Sequence, residues 1–426
     1  MKTELFRYSI TPGIVKIGEA TTLCITTLEP QLAFTADNAY KIEVWGLTRV
    51  TFSEFATHDN VFDVKAKDGK LVFTFSFDLE SEYFVRVFEQ DSNKHFLQLS
   101  VYALEEDLYA LRPLKGDFHI HSCRSDGKES PAVVAANYRK SGFDFMAVTD
   151  HHRYDPSKEA QDAYADVPLG MLILNGEEVH TPDNYVHVIN FGGDSSVNDM
   201  YRADEDRYYA DIQHIIDTND LPYEDKFTYA ANMWAVEKIR ATNGLAVFCH
   251  PHWINNTYNV PDSLSIAFLK NNIFDAFEVI GGQSAHENNM QTALYHQLRS
   301  EGVKIPITGA SDSHGTIINS GLFNKMYTVV FAQDNTRDSI VHAVKDFMSV
   351  AVHVYEDSVN YNVHGSYRLV SYAGFLIENY FALTQQLCEE EGILMRAHSL
   401  GDSGATQRLA QLKQRTDNFY TAYAGK

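Results

Sequence analysis

The chain reads as an α/β protein: a barrel or sheet of mostly parallel strands follows a small antiparallel β-sandwich and precedes a helical C-terminal extension. Three observations predict this. Alternating apolar residues mark short strands in the first quarter, apolar runs exchange with helical segments through the middle, and amphipathic helical patterns close the chain. With 426 residues the chain exceeds what one core usually serves, so the expected division is residues 1–110, 116–355 and 366–426.

The sandwich strands are expected at 21–27, 40–45, 71–77, 83–88 and 96–102. Leu71, Phe73, Phe75 and Phe77 alternate, and Asp68-Gly69 and Asp91-Ser92 supply turns. About 100 residues of this kind fit an immunoglobulin-like sandwich, to which fold alone attaches no function. Residues 105–115, with Pro113, read as the linker. Apolar runs at 143–148, 171–174, 186–191, 245–248, 274–280 and 305–308 then alternate with helices. One helix is punctuated in full: Ser130 as cap, Pro131 in the first turn, a body through Lys140, and Gly142 as stop. In such α/β barrels, sites gather at the carboxyl ends of strands. Segments 367–391 and 406–423 read as the terminal helices.

A hydrophobic fraction of 44% is enough to build these cores and excludes disorder. The net charge of -22, with no Lys/Arg run, argues against long nucleic acid as a partner, because phosphate backbones are held by clustered cations. No apolar stretch approaches the ~18 residues that span a bilayer, and Met1 to Gly13 lacks a signal-peptide core. Cys24, Cys123, Cys249 and Cys388 form no CxxC pair, which fits reduced thiols. A cytoplasmic protein without a membrane partner is expected.

Histidine is in excess, 18 where roughly ten would be ordinary, and its placement carries chemistry. In Asp117-Phe118-His119-Ile120-His121, positions two apart face one side of a strand, so both imidazoles can meet one ion. Asp126 follows in Ser125-Asp126-Gly127. Each later cluster closes an apolar run: Thr149-Asp150-His151-His152, Gly176-Glu177-Glu178, His250-Pro251-His252 and Ser311-Asp312-Ser313-His314-Gly315, with His187 in a strand between. A lone histidine is usually a satisfied core or loop residue; recurrence at successive strand ends is not. Imidazole and carboxylate together suit Zn, Fe or Mn, and the lack of a Cys cluster disfavours a closed structural zinc site.

In order and spacing these motifs resemble the PHP family, named for polymerase and histidinol phosphatase domains, over Gly116 to about His353. The resemblance implies a distorted (β/α)7 barrel with two to three divalent metal ions in a trinuclear centre. It implies His119, His121, Glu178 and Asp312 at one metal, Glu178, His187 and His250 at a second, and Asp126, His151 and His314 at a third. The family pattern of Gly, any residue, Glu selects Glu178 over Glu177, which becomes structural. His180 competes with His187, since the spacing there varies.

Three divalent ions bring about +6 and the ligand carboxylates offset about half, so a small phosphorylated metabolite, monoester or short nucleotide diester, is the expected substrate. The resemblance implies that Glu178 and a solvent hydroxide bridge neighbouring metals and that this hydroxide would attack phosphorus. Arg124, Lys128 and Arg153 flank the motifs as candidate contacts to substrate oxygens. His252 and Trp253 are candidates for shaping the pocket or protonating a leaving group, and Asn255 and Asn256 begin a loop expected over the site. The same site could serve a carboxyl ester or amide. A non-catalytic metal-containing binding protein is the third reading, and lost ligands would be its signature.

Overall fold

Alternation becomes structure along Leu71–Ser76, where Leu71 and Phe73 are buried and Val72 faces solvent. In this computed structural model, which describes residues 3–36, 38–48, 60–318, 320–355 and 360–425, that strand pairs antiparallel with Ala20–Thr27, which pairs with Tyr8–Thr11. A second sheet runs Ile14–Lys16, Leu97–Leu104, Ser81–Glu89, Ala39–Gly46, Val61–Lys65. Leu23, Ile25 and Leu71 of the first sheet share one core with Ile42, Val44, Val85 and Leu99 of the second. One pairing, Ile14–Lys16 with Leu97–Leu104, is parallel. Segments 367–387 and 413–426 group with these strands as one compact unit. Within it Tyr102 donates to Ser371 at 2.9 Å, and Arg368 pairs with Glu80 and Asp107.

The second unit comprises residues 112–366 and 388–412. It is mixed α/β with two main sheets. The first runs Leu172–Leu174, Phe145–Ala147, Arg112–Asp117, Met326–Ala332, Ser349–Val354, Tyr361–His364; the second runs Gly176–Val179, Val188–Phe191, Leu245–Phe248, Ala276–Ile280, Ile307–Gly309. Every apolar run of the middle region forms a strand, but the sheets are not mostly parallel. Phe145–Ala147 is parallel to both neighbours, and so is Ala276–Ile280, whereas Gly176–Val179 to Leu245–Phe248 and Met326–Ala332 to Tyr361–His364 are antiparallel. The loop after Gly176–Val179 explains the first of these: residues 180–187 are too few for the long crossover that parallel pairing needs, whereas Met326–Ala332 turns back antiparallel even though the helix Arg337–Lys345 intervenes.

Two further readings change. Residues 105–115 are no loose linker: Glu106–Tyr109 is one helical turn, and Arg112–Asp117 is a buried central strand. The helix Pro131–Lys140 starts and stops where its punctuation predicts, with Gly142 left-handed at φ 88°, but the Ser130 side chain makes no capping bond. Proline supplies the start alone, because its fixed φ suits the first turn.

Single parallel bridges join the sheet ends, Ile120 to Ser313 and His151 to Glu178. These bridges bring the ends of strands from both sheets to one place. His119 and His121 follow Arg112–Asp117, His151 follows Phe145–Ala147, His250 follows Leu245–Phe248, and Asp312 and His314 follow Ile307–Gly309.

Candidate metal centre

Glu178 is fully buried at the middle of the cluster. Its Oε2 is 3.4 Å from His119 Nε2, 3.5 Å from His121 Nε2 and 2.7 Å from His151 Nδ1. Its Oε1 is 2.7 Å from His187 Nδ1 and 3.4 Å from His250 Nε2. Asp312 Oδ1 is 3.3 Å from His119 Nε2 and 3.0 Å from His121 Nε2. Asp126 Oδ2 reaches His314 Nε2 at 3.2 Å and His151 Nε2 at 3.6 Å. The donors group as His119-His121-Glu178, Glu178-His187-His250 and His121-Asp126-His151-His314. Ligands about 2.0–2.1 Å from one ion stand about 3.4 Å apart at tetrahedral angles, so these separations suit shared cations.

Orphaned atoms test the fit. His121 Nδ1, His187 Nδ1 and Glu178 Oε1 are buried without a hydrogen-bond partner, although the last two stand 2.7 Å apart. An unsatisfied buried polar group costs about 1–3 kcal/mol, and a coordinated cation removes that cost. Imidazole and carboxylate donors fit divalent Zn, Fe or Mn. His250 and Asp312 also have left-handed backbones, φ 29° and 49°, a strain that surrounding structure sustains at functional sites.

The electrostatics keep the carboxylates ionised. Contacts with His151 and His314 hold Asp126 well below the usual carboxylate range. Burial works against charge on Glu178, but His187 and His119 outweigh it; burial likewise opposes charge on Asp312, and His119 and His121 prevail.

A scaffold of buried polar groups aims these side chains. Asp117 accepts from Ser311 N, His119 N and Tyr138 OH, tying two clusters together. Asp150 accepts from Ser122 N, Ser122 Oγ and Ser125 Oγ, which fixes the Asp126 turn. A Cβ on Gly127 would come within 2.7 Å of the His121 backbone, so only glycine lets that turn pass. Glu177 points the other way, accepting from Asn190 Nδ2, Ser196 Oγ, Val197 N and Asn198 Nδ2. Glu278, which the sequence reading missed, is buried with Oε2 3.1 Å from His119 Nδ1. Its signal was a lone carboxylate inside the apolar strand Ala276–Ile280.

No protein-family model matches the chain. A stretch of 57 residues is 39% identical to the DNA polymerase/3′-5′ exonuclease PolX of Bacillus subtilis, covering 13% of this chain and 10% of that protein. Among solved structures, a two-domain protein of Bacteroides vulgatus containing a predicted PHP-like metal-dependent phosphoesterase aligns with TM-score 0.40 and 19% identity, over 57% of this chain and 65% of that one. An amidohydrolase from Chromobacterium violaceum, with bound sulfate and no metal, aligns with TM-score 0.32 and 20% identity, over 47% and 87%. In the order of its motifs the chain resembles the PHP family.

Some residues flanking the PHP-type motifs are engaged elsewhere. Arg124 makes a two-pronged pair with Glu159 at 2.7 and 2.8 Å, and Arg153 pairs with Asp155 and donates to the Arg124 carbonyl. Lys128 reaches back to the Asp126 carbonyl at 3.4 Å. His252 is buried with Nε2 3.2 Å from Asp262 Oδ1, outside the donor groups above. Trp253 does border them, its ring centroid 6.0 Å from His250 and 6.1 Å from His187. Ile254–Asn255 and Thr257–Tyr258 form a small hairpin directly after it.

Proposed function

We propose that the chain is a metal-dependent hydrolase of phosphate esters on small metabolites, either phosphomonoesters or short nucleotide diesters. The observation that carries this is the convergence of His119, His121, Asp126, His151, Glu178, His187, His250, Asp312 and His314, with buried donor atoms left unpaired among them. Divalent ions held there, two to three in number, would polarise a phosphoryl oxygen and supply an activated water nucleophile at neutral pH. The chain's own part is to fix the donors: Glu178 bridges two groups, Asp312 joins His119 and His121, and Asp126 orients His151 and His314. Arg124 and Arg153 spend their guanidinium groups on Glu159 and Asp155, which leaves the substrate's negative charge to the ions. His252 acts on the site through the Trp253 segment rather than by touching substrate.

On this reading the strands of residues 116–355 form a distorted (β/α)7 barrel closed by the two single bridges, residues 1–110 an immunoglobulin-like sandwich, and 366–426 a helical extension. The preference for small substrates over long nucleic acid rests on the -22 charge. Because the matched stretch lies in a DNA polymerase/exonuclease, that preference needs its own assay. The test compares phosphate release from phosphomonoesters, cleavage of short nucleotide diesters and carboxyl esters, and digestion of long polynucleotides, with His119→Ala and Asp312→Asn as blanks. Turnover of small phosphate esters supports the reading. Preference for carboxyl esters, efficient digestion of long polynucleotides, or silence on every substrate from a fully metallated protein would each overturn it.

A further inference from the structure

The metal-type side chains come in pairs two residues apart: His119 with His121, Glu178 with His180, His250 with His252, and Asp312 with His314. Where the backbone stays extended, such a pair faces one way. The His250 pair is broken, because His250 is left-handed and His252 turns to Asp262. The Glu178 pair is intact. Glu178 is the penultimate residue of the strand Gly176–Val179, and His180 N is held by Asn198 Oδ1 at 3.1 Å, while the Asn198 amide donates to the Glu178 carbonyl at 3.0 Å. One buried side chain therefore clamps both residues of the pair.

The result is a donor outside the nine assigned above. His180 Nε2 lies 3.5 Å from Glu178 Oε1, the same oxygen that faces His187 Nδ1 at 2.7 Å and His250 Nε2 at 3.4 Å. It also lies 2.9 Å from His151 Nδ1, and His151, Glu178 and His180 form a donor group of their own. The His180 and His187 rings stand 3.9 Å apart, centroid to centroid. His180 and His187 thus both converge on Glu178, and the competition between them dissolves.

We propose that His180 is itself a ligand of a divalent transition-metal ion, giving the Glu178 oxygen shared by His187 and His250 a third imidazole. The proposal rests on the metal-centre reading above. It also gives His151 a clear division of labour: Nε2 serves the Asp126 and His314 group, and Nδ1 hydrogen-bonds Glu178. An added neutral nitrogen donor shifts the site's preference toward Zn, Fe or Co and away from the oxygen-seeking Mg and Ca.

The test is a chelator-competition titration with Zn²⁺ and Co²⁺, with elemental analysis and the visible spectrum of the Co²⁺ form. It compares wild type, His180→Ala, His180→Gln and His152→Ala, after thermal melts of the metal-free proteins show equal folding. We expect both His180 variants to weaken one ion by about 10-fold or more and to change the Co²⁺ spectrum, while His152→Ala matches wild type. If His180 only orients His151, the hydrogen-bonding amide of His180→Gln restores wild-type affinity and spectrum, and the proposal falls. It also falls if both variants match wild type, or if His152→Ala loses as much. Wild type that binds no ion sinks the metal centre as a whole, a result distinct from any of these.

Discussion

At Glu177 and Glu178, adjacent carboxylates have opposite fates because strand neighbours point to opposite faces. Glu178 meets five histidines of the assigned set, while all of Glu177's acceptor capacity goes to Asn190, Ser196, Val197 and Asn198. Glu178→Gln should therefore lose metal with little change in fold. Glu177→Gln turns an amide toward buried donors and should cost about 1–3 kcal/mol of stability while the folded fraction keeps its metal. Melting curves beside elemental analysis check this, and metal loss in both variants would contradict it. Glu278 fixes the His119 ring through Nδ1, so Glu278→Gln should weaken metal affinity by about 10- to 100-fold without removing a ligand. A metal titration matching wild type would deny it that role. The first histidine motif was legible from the two-residue spacing of His119 and His121, and the later clusters because each closes an apolar run. Glu278 was not, since a single carboxylate in a strand carries no spacing. Nearness in sequence to a motif likewise does not reveal that Arg124 and Arg153 pair with Glu159 and Asp155.

Among the elements, the strands were the most legible part of the fold, because every apolar run was already bounded by turn residues. Their directions were not: apolar runs look alike in parallel and antiparallel pairs, and a helix between two strands does not settle it, since Arg337–Lys345 joins the antiparallel strands Met326–Ala332 and Ser349–Val354. The central strand Arg112–Asp117 hid inside an expected linker because Pro113 and the charged Arg112 and Lys115 mask it. Lys115 is buried there, donating to Ser141 O and Asn324 Oδ1, with Phe143 and Tyr327 rings 4.3 and 4.4 Å away. Burial pushes its pKa down to about 8 from the ordinary 10.5. Between those values the unfolded chain keeps the proton and the folded chain releases it, so this group adds stability as pH rises through the window. The gain should be no more than about 3 kcal/mol, since the two rings favour the charged form. The difference in unfolding free energy between wild type and Lys115→Met, followed across that window, should show the rise; a flat difference would contradict it. A second buried cation holds helix to helix. Arg139, in Pro131–Lys140, pairs with Glu391 at 2.7 Å with both side chains fully enclosed. Glu391→Gln leaves that guanidinium only the more distant Asp144, 3.5 Å from Nη1, as counter-charge and should cost up to about 3 kcal/mol in urea unfolding.

For the whole molecule, the terminal helices were legible as helices but not in their company. Tyr367–Phe375, Leu376–Tyr380 and Phe381–Ser399 run on without a break through a π-turn, and residues 388–412 group with the second unit while 367–387 and 413–426 group with the first. Periodicity marks a helix's apolar face and says nothing of which core receives it. Among the described residues no helix is long and apolar enough to cross a membrane. The acidic balance of the chain, -22, contrasts with a centre that gathers cation-binding donors. The measurement that tests the account most directly is phosphate release from a small phosphomonoester as divalent metal is added stepwise to metal-free protein. The account predicts no release at the start, a rise with added metal to a plateau at two to three bound ions per chain, and loss of the whole response in Glu178→Gln. Release without metal, saturation at a single ion, or a fully loaded protein that frees no phosphate would contradict it.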